Sequence, residues 1–379
     1  MITSIAQEFF KLFSRQPRLF RAPGRVNLIG EHTDYNDGFV MPAAIQFATF
    51  TAAAPREDRT VRAFSANLGE WIEFSLDDAN PTSPRTWQDY VQGVALMIER
   101  AGHRLRGVDL LIRSNVPLGA GLSSSAALEV ATAKALLGAS RIDLPPLEIA
   151  KLCQQAEVEF VGMRCGIMDQ FASCFGEDGQ ALLLDCRTLD HEQLPLPEGV
   201  SLIVANTMVK HELAGSAYNE RRADCEKAAR IADVPALRDL EPGDLGRWMP
   251  RWPERVARRA RHVITENARA MQAAEALRAG HLHDFGAAMY ASHESLRDDY
   301  EVSCPELDIM VELARGAPGV YGSRMTGGGF GGCTISLVHH DSVEALRARL
   351  IEGYKSATGR DAVIFICRAV AGASEERAA

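Results

Sequence analysis

Four stretches of this chain hold side chains whose types and spacing suit chemistry. The first is GRVNLIGEHTDYNDGFVMPAAI, residues 24 to 45, in which Arg25, Glu31, His32, Asp34, Asn36 and Asp37 fall within 13 positions. A sugar presents many hydroxyls, each both donor and acceptor. Ionised carboxylates such as Glu31 and Asp34 can accept from two adjacent hydroxyls at once. The same residues also suit a polar turn, because Asp-Tyr-Asn-Asp-Gly is ordinary turn chemistry.

The second stretch is PLGAGLSSSAALE, residues 117 to 129. Gly119 and Gly121 let a backbone approach a ligand closely. Ser123, Ser124 and Ser125 then open a helix, whose first N–H groups and dipole favour a phosphate. A serine hydroxyl there can also bind Mg²⁺, or simply cap the helix. No Gly-Lys-Ser/Thr follows, so the loop is not a Walker A motif. It approaches Gly-x-Gly-x-x-Gly, which would imply a dinucleotide and an oxidoreductase, but the third position is Ser124.

A third stretch, MTGGGFGGC at 325–333, is glycine-rich and leads into a strand, the wrong context for a dinucleotide fold. It could close over a nucleotide, brace a sugar or make a plain tight turn. The fourth, QQAEVEFVGMRCGIMDQ at 154–170, carries Glu157 and Asp169. From a helix and the loop after it, one carboxylate could hold a metal while the other faces a nucleophile. Two surface carboxylates are the simpler alternative.

These residues need elements to position them. Val26, Leu28 and Ile29 predict a short strand that Gly30 ends, and residues 110–113 a second. Residues 126–137 are Ala-rich and helical up to Gly138, and Pro145 and Pro146 open a helix to about Val161. Strands are expected at 181–185 and 200–205, separated by the turn-rich HEQLPLPEG. The division between an N-terminal domain (1–195) and a C-terminal domain (196–379) is placed there. Helices at 216–232, 253–279 and 282–293 follow, then strands at 334–338 and 362–367. The period of Ile2, Ile5, Phe9, Leu12 and Phe13 predicts a helix, and AGASEERAA at the end reads as a frayed tail. Segregated strands and helices over 379 residues indicate an α+β protein of two domains.

Composition narrows the partners. A net charge of -9 argues against nucleic acid. No run of 18 apolar residues is present and no signal peptide opens the chain, so no membrane is expected. Eight cysteines without a Cys-x-x-Cys pair fit reduced thiols in the cytoplasm.

Taken in order, the four stretches resemble galactokinases of the GHMP kinase superfamily, along nearly the whole chain. GRVNLIGEHTDYNDG is similar to the galactokinase signature, 117–129 to the superfamily phosphate loop, and 325–332 to its third motif. SHESLRDDYEVSCPELD, residues 292 to 308, also resembles galactokinase sequence. The resemblance implies a two-domain α+β fold with the active site in the cleft between domains; a monomer is expected. It implies that Glu31, His32, Asp34, Gly166 and Tyr218 contact galactose. Gly119, Ala120, Gly121, Leu122, Ser123, Ser124 and Ser125 would hold the phosphates of ATP, with Trp87 near adenine or merely in the core. Ser125 and Glu157 would bind Mg²⁺. Asp169 would be the base and Arg25 the arginine beside it, and the γ-phosphoryl group would pass to the anomeric hydroxyl. Thr33 and Asn36 keep the galactose form rather than that of the N-acetylgalactosamine kinases. A non-catalytic sugar sensor on the same fold would be expected to decay in the phosphate loop, which is intact here.

Overall fold

The computed structural model describes residues 2–78, 83, 86–117, 119–210 and 214–377. Leu118 of the phosphate loop and Pro84 and Arg85 beside Trp87 lie outside the described residues.

A six-stranded sheet forms around the long strand Pro42–Pro55, which pairs antiparallel with Arg18–Asn27 and with Val108–Ser114. Val108–Ser114 continues the sheet in parallel with Thr60–Ser65, and Glu70–Ser75 closes that side. The period-2 alternation of strands sorts side chains to two faces. Ala48, Phe50, Ala52 and Ala54 meet Ile5, Phe9 and Phe13 of the helix Ile2–Phe13. The opposite face packs the helices Gln88–Arg100 and Ser124–Ser140 through Val91, Val94, Val130 and Leu136.

The second half holds a four-stranded antiparallel sheet in the order Val320–Thr326, Gly331–His339, Val200–Lys210, Val363–Cys367. Ile203 and Ala205 face outward onto the helices Pro305–Ala314 and Val343–Thr358. Leu202 and Val204 face inward and share one apolar cluster with Val26, Leu28 and Ile29 of the first half. The two halves are therefore fused through a common core, which fixes the floor of the cleft between them.

Several boundaries differ from the sequence reading. The first strand ends at Asn27, although Leu28 and Ile29 still bond Met41 through the backbone and are fully buried. HEQLPLPEG begins as a strand, His191–Pro195, paired with Gln180–Asp185. The helix from Pro146 is regular only to Gln155 and continues as a π-helical segment, Ala156–Val161. The tail is not frayed: Ser374–Glu376 pairs with Arg18–Asn27 at the sheet's edge. Arg18 there donates through Nε and Nη2 to Glu375, each at 2.7 Å. A three-residue strand buys register from the pairing itself, which local composition does not reveal.

Candidate active site

At the join of the two halves lies a cleft of about 370 Å³. Arg25 and Asp169 meet in it. Arg25 sits where the pairing register shifts between Pro23 and Arg25, an irregularity that re-aims a side chain. Asp169 is in the first turn of the helix Met168–Phe175. The guanidinium makes a two-pronged pair, Nε to Oδ1 at 2.8 Å and Nη2 to Oδ2 at 2.9 Å. The Ser123 hydroxyl donates to Oδ2 at 2.7 Å. Arg25 Nη1 donates to the Gly121 carbonyl at 2.6 Å, so the arginine joins the carboxylate to the glycine loop. Burial pulls the Arg25 pKa down, yet Asp169 and Glu31 outweigh it and hold the guanidinium above its ordinary value.

On one side of this pair stand Glu31, His32, Asp34, Gly166 and Tyr218, all lining the cleft. Glu31 is 3% exposed. Its Oε2 lies 3.0 Å from Arg324 Nη2 and accepts the Gly327 N–H at 3.1 Å, which leaves Oε1 for a ligand. Desolvation, against the pull of Arg324 and Arg25, raises the Glu31 pKa. Asp34 opens a short 3-10 turn, Asp34–Asn36. Burial first, then the charges of Asp169 and Glu31, lift its carboxyl to about 7. Near neutrality Asp34 can thus donate as well as accept. A Cβ on Gly166 would collide with the Asp34 carboxylate, so only glycine fits there. His32 has φ 63°, a left-handed backbone uncommon outside glycine. Burial holds its ring well below the ordinary imidazole range.

On the other side the loop 119–125 alternates left-handed positions at Gly119, Gly121 and Ser123. Ala120 and Leu122 bury their side chains in the shared core, so what they can offer a ligand is backbone. Gly121 and Gly327 lie back to back: a Cβ on Gly327 would stand 3.0 Å from the Gly121 carbonyl oxygen. The third glycine stretch therefore braces the sugar side and the phosphate loop together. Ser125 and Glu157 both line the cleft, and a hydrogen bond from Ser125 favours the ionised Glu157. Burial, then the charge of Asp169, nevertheless raises Glu157 to about 7. Gln170 Nε2 donates to Glu157 Oε2 at 2.7 Å and to Glu129 Oε2 at 2.9 Å. Trp87 does not line this cleft. Half-buried, it packs on the N-terminal core, donates to Glu70 at 2.9 Å, and faces a neighbouring hollow with Tyr90 and Phe160.

Three family models match this chain: GHMP kinases N terminal domain at 89–177, the galactokinase galactose-binding signature at 7–55, and GHMP kinases C terminal at 273–356. A galactokinase of Roseiflexus sp. (strain RS-1) is 51% identical over 359 residues, 93% of this chain and 92% of the relative. The chain belongs to the galactokinase family. A second galactokinase, from Chloroflexus aggregans, is 49% identical over 98% of this chain and 97% of its own. Among solved structures, Lactococcus lactis galactokinase complexed with galactose superposes with a TM-score of 0.96 at 38% identity, covering 99% of this chain and all of that one. Mevalonate kinase from Methanococcus jannaschii, 20% identical, shares the two-domain fold at a TM-score of 0.64 over 93% of this chain and 98% of that one.

Within this galactokinase-family cleft, sequence reasoning missed the residues that brace the candidate ligating ones. Arg324, fully buried, holds Glu31. Glu266 accepts the N–H groups of Gly30 at 3.0 Å and Glu31 at 3.2 Å. Gln170 spans two buried carboxylates. A charged residue inside an apolar period, as Glu266 is among Val263, Ile264 and Ala270, is the signal that could have exposed one of them.

Proposed function

We propose that the cleft binds galactose and ATP side by side and passes the γ-phosphoryl group to the anomeric hydroxyl, giving galactose 1-phosphate and ADP. The observation that carries this reading is the Arg25–Asp169 pair, set between a polar, side-chain-lined pocket and a glycine loop at a helix start. In phosphoryl transfer the charge is spread over oxygens, and catalysis is mostly positioning and electrostatics. Asp169 accepts the anomeric proton. Arg25 holds that carboxylate and faces the transferring group with its charge. Glu31 Oε1, His32 Nε2 and Asp34 take the sugar hydroxyls, with Gly166 giving the space and Tyr218 a wall. The backbone N–H groups of 119–125 hold the phosphates. The hollow beside Trp87 is where the base of ATP would rest.

The donor set fits Mg²⁺: one hydroxyl, Ser125, and one buried carboxylate, Glu157, with room left for phosphate oxygens and water. Bound there, the metal would neutralise developing phosphate charge. The cleft is built from one chain, so a monomer is a sufficient working unit. All eight cysteines are unpaired, as suits a cytoplasmic protein. Among the described residues no helix is long and apolar enough to cross a membrane.

The test is an ADP-release assay over a sugar panel. Galactose is expected to turn over at least about a hundredfold faster than glucose, mannose or N-acetylgalactosamine, because a wrong hydroxyl leaves buried polar groups unpaired. Comparable rates with glucose would refute the sugar assignment, and no ADP with any sugar would refute the kinase.

A further inference from the structure

The stretch 292–308 resembles galactokinase sequence, yet none of its residues lines the cleft. What it does is visible in its hydrogen bonds. The helix Leu282–Ser295 runs on into a π-helical segment, Leu296–Tyr300, and together they send three struts toward the sugar loop. Ser292 donates to Glu266 Oε1 at 2.6 Å, and that oxygen accepts the Gly30 and Glu31 N–H groups. Ser295 Oγ lies 3.0 Å from His262 Nδ1, whose Nε2 lies 3.0 Å from the Glu31 carbonyl. Both struts grip backbone. The third ends on a side chain that faces the ligand: the Tyr300 hydroxyl lies 2.7 Å from that of Tyr35, which lies 2.8 Å from His32 Nδ1.

We propose that Tyr300 is a positioning residue for sugar recognition, fixing through Tyr35 the tautomer and ring orientation of His32. The proposal rests on the reading that this cleft binds galactose. His32 Nε2 is buried and makes no hydrogen bond, although the Gly328 backbone stands close by. A neutral imidazole carries one proton, and its partner at the other nitrogen decides which nitrogen holds it. Tyr35 has one proton and two neighbours. If it donates to His32, the chain runs Tyr300 to Tyr35 to His32 and ends on an imidazole nitrogen, the best acceptor present. If His32 donates instead, the chain runs outward and ends on Cys225 Sγ, 3.2 Å from the Tyr300 hydroxyl and a weak acceptor. The first sense therefore prevails, and Nε2 bears the hydrogen. His32 becomes a donor set between two acceptors, Glu31 and Asp34. One sugar hydroxyl can then accept from His32 and donate to a carboxylate, and both its roles are satisfied. The Tyr300 ring, 4.8 Å from that of His32, also limits the imidazole's tilt.

Tyr300→Phe keeps the ring and deletes the hydroxyl. Galactose affinity is to be measured by calorimetry on wild type and variant, alongside the 2-, 3-, 4- and 6-deoxy sugars. Wild type should lose affinity sharply for the one deoxy sugar that lacks the hydroxyl held by His32. In Tyr300→Phe galactose should bind about three- to tenfold more weakly, and that deoxy penalty should shrink by the same factor while the others persist. The ATP KM should stay within about twofold. Tyr35→Phe, which breaks the same chain at its other phenol, should reproduce the pattern and serves if Tyr300→Phe does not fold. A uniform weakening across the panel would mark a merely structural tyrosine, and an unchanged panel would leave the chain without a role. Either result overturns the proposal. Failure of wild type to bind galactose would instead bring down the reading of the cleft, and this inference with it.

Discussion

The sugar loop and the phosphate loop both line the cleft that holds Arg25, yet they are built in opposite ways. Around 30–37 the described structure places a shell of buried side chains: Arg324, Glu266, His262 and Tyr300 each bond the loop or a residue on it, and Asn267 accepts the Phe39 N–H just beyond it. Around 119–125 Ala120 and Leu122 enter the core, Ser123 turns to Asp169 and Ser125 bonds Glu157, while Gly119 and Gly121 offer the cleft backbone alone. The difference follows the ligands proposed for the two sides. Hydroxyl stereochemistry is read only by donors and acceptors held in fixed directions, whereas a phosphate needs N–H groups and a favourable dipole, which any glycine-rich turn into a helix supplies.

The sharpest way to break this contrast is at the residue both regions hold. Asp169→Asn preserves shape but removes the charge and the proton acceptor. It should fold normally, still bind ATP, and lose about a hundredfold or more in turnover. Arg25→Lys should also be impaired, since an ammonium cannot reproduce a two-pronged pair. A folded Asp169→Asn enzyme with near-normal steady-state rates would leave only electrostatic positioning for that site.

A more moderate effect is expected from Glu157→Gln, which touches the phosphate side alone. The Mg²⁺ concentration for half-maximal activity should rise roughly tenfold or more, as weakened metal sites do. Galactose binding, followed by calorimetry without nucleotide, should stay within about twofold. Collapse of galactose affinity would mean that the two sides are not separately built.

The smallest effect sharpens the sugar side. Burial and the neighbouring charges of Asp169 and Glu31 push Asp34 up to about 7 from its ordinary 3.8. The folded state thus binds this proton more tightly than the unfolded one. Its contribution is complete below about pH 3.8 and is lost as pH rises through about 7. Asp34→Asn cannot titrate. The melting temperature of the variant relative to wild type, without ligand, should rise by about five degrees between pH 4 and 8. A difference that is flat with pH would show that Asp34 is not held protonated.

How much of this was legible in the sequence follows the same division. Glycine and serine at a helix start announce a phosphate loop because the requirement is local. Of the residues proposed to ligate the sugar, Glu31, His32 and Asp34 were legible because they crowd one short stretch, whereas Gly166 and Tyr218 came only with the family resemblance. Their braces were not, since Glu266, His262, Tyr300 and Arg324 act only once distant elements have packed. The two π-helical segments escaped for another reason. Ala156–Val161 and Leu296–Tyr300 have ordinary helical composition, yet one carries Glu157 of the cleft and the other Tyr300, which meets Tyr35. The strand Thr60–Ser65 escaped because its last two residues invert the alternation: Ser65 is buried with Val61 and Ala63, while Phe64 is half-buried on the other face.

The strand Ser374–Glu376 has a consequence in time. Glu375 and its partner Arg18 are 357 residues apart. At a ribosome's pace of about 5–20 residues per second, the outer edge of the first sheet waits roughly twenty seconds to a minute for its last strand. An uncovered edge is a template for a neighbouring nascent chain. Arg18 and Arg21 stand on that edge throughout the wait. They repel an identical edge on another polysome-bound chain, and once residues 371–376 emerge they serve as the latch: Arg18 closes on Glu375, and Arg21 donates to the Ala371 carbonyl at 3.1 Å.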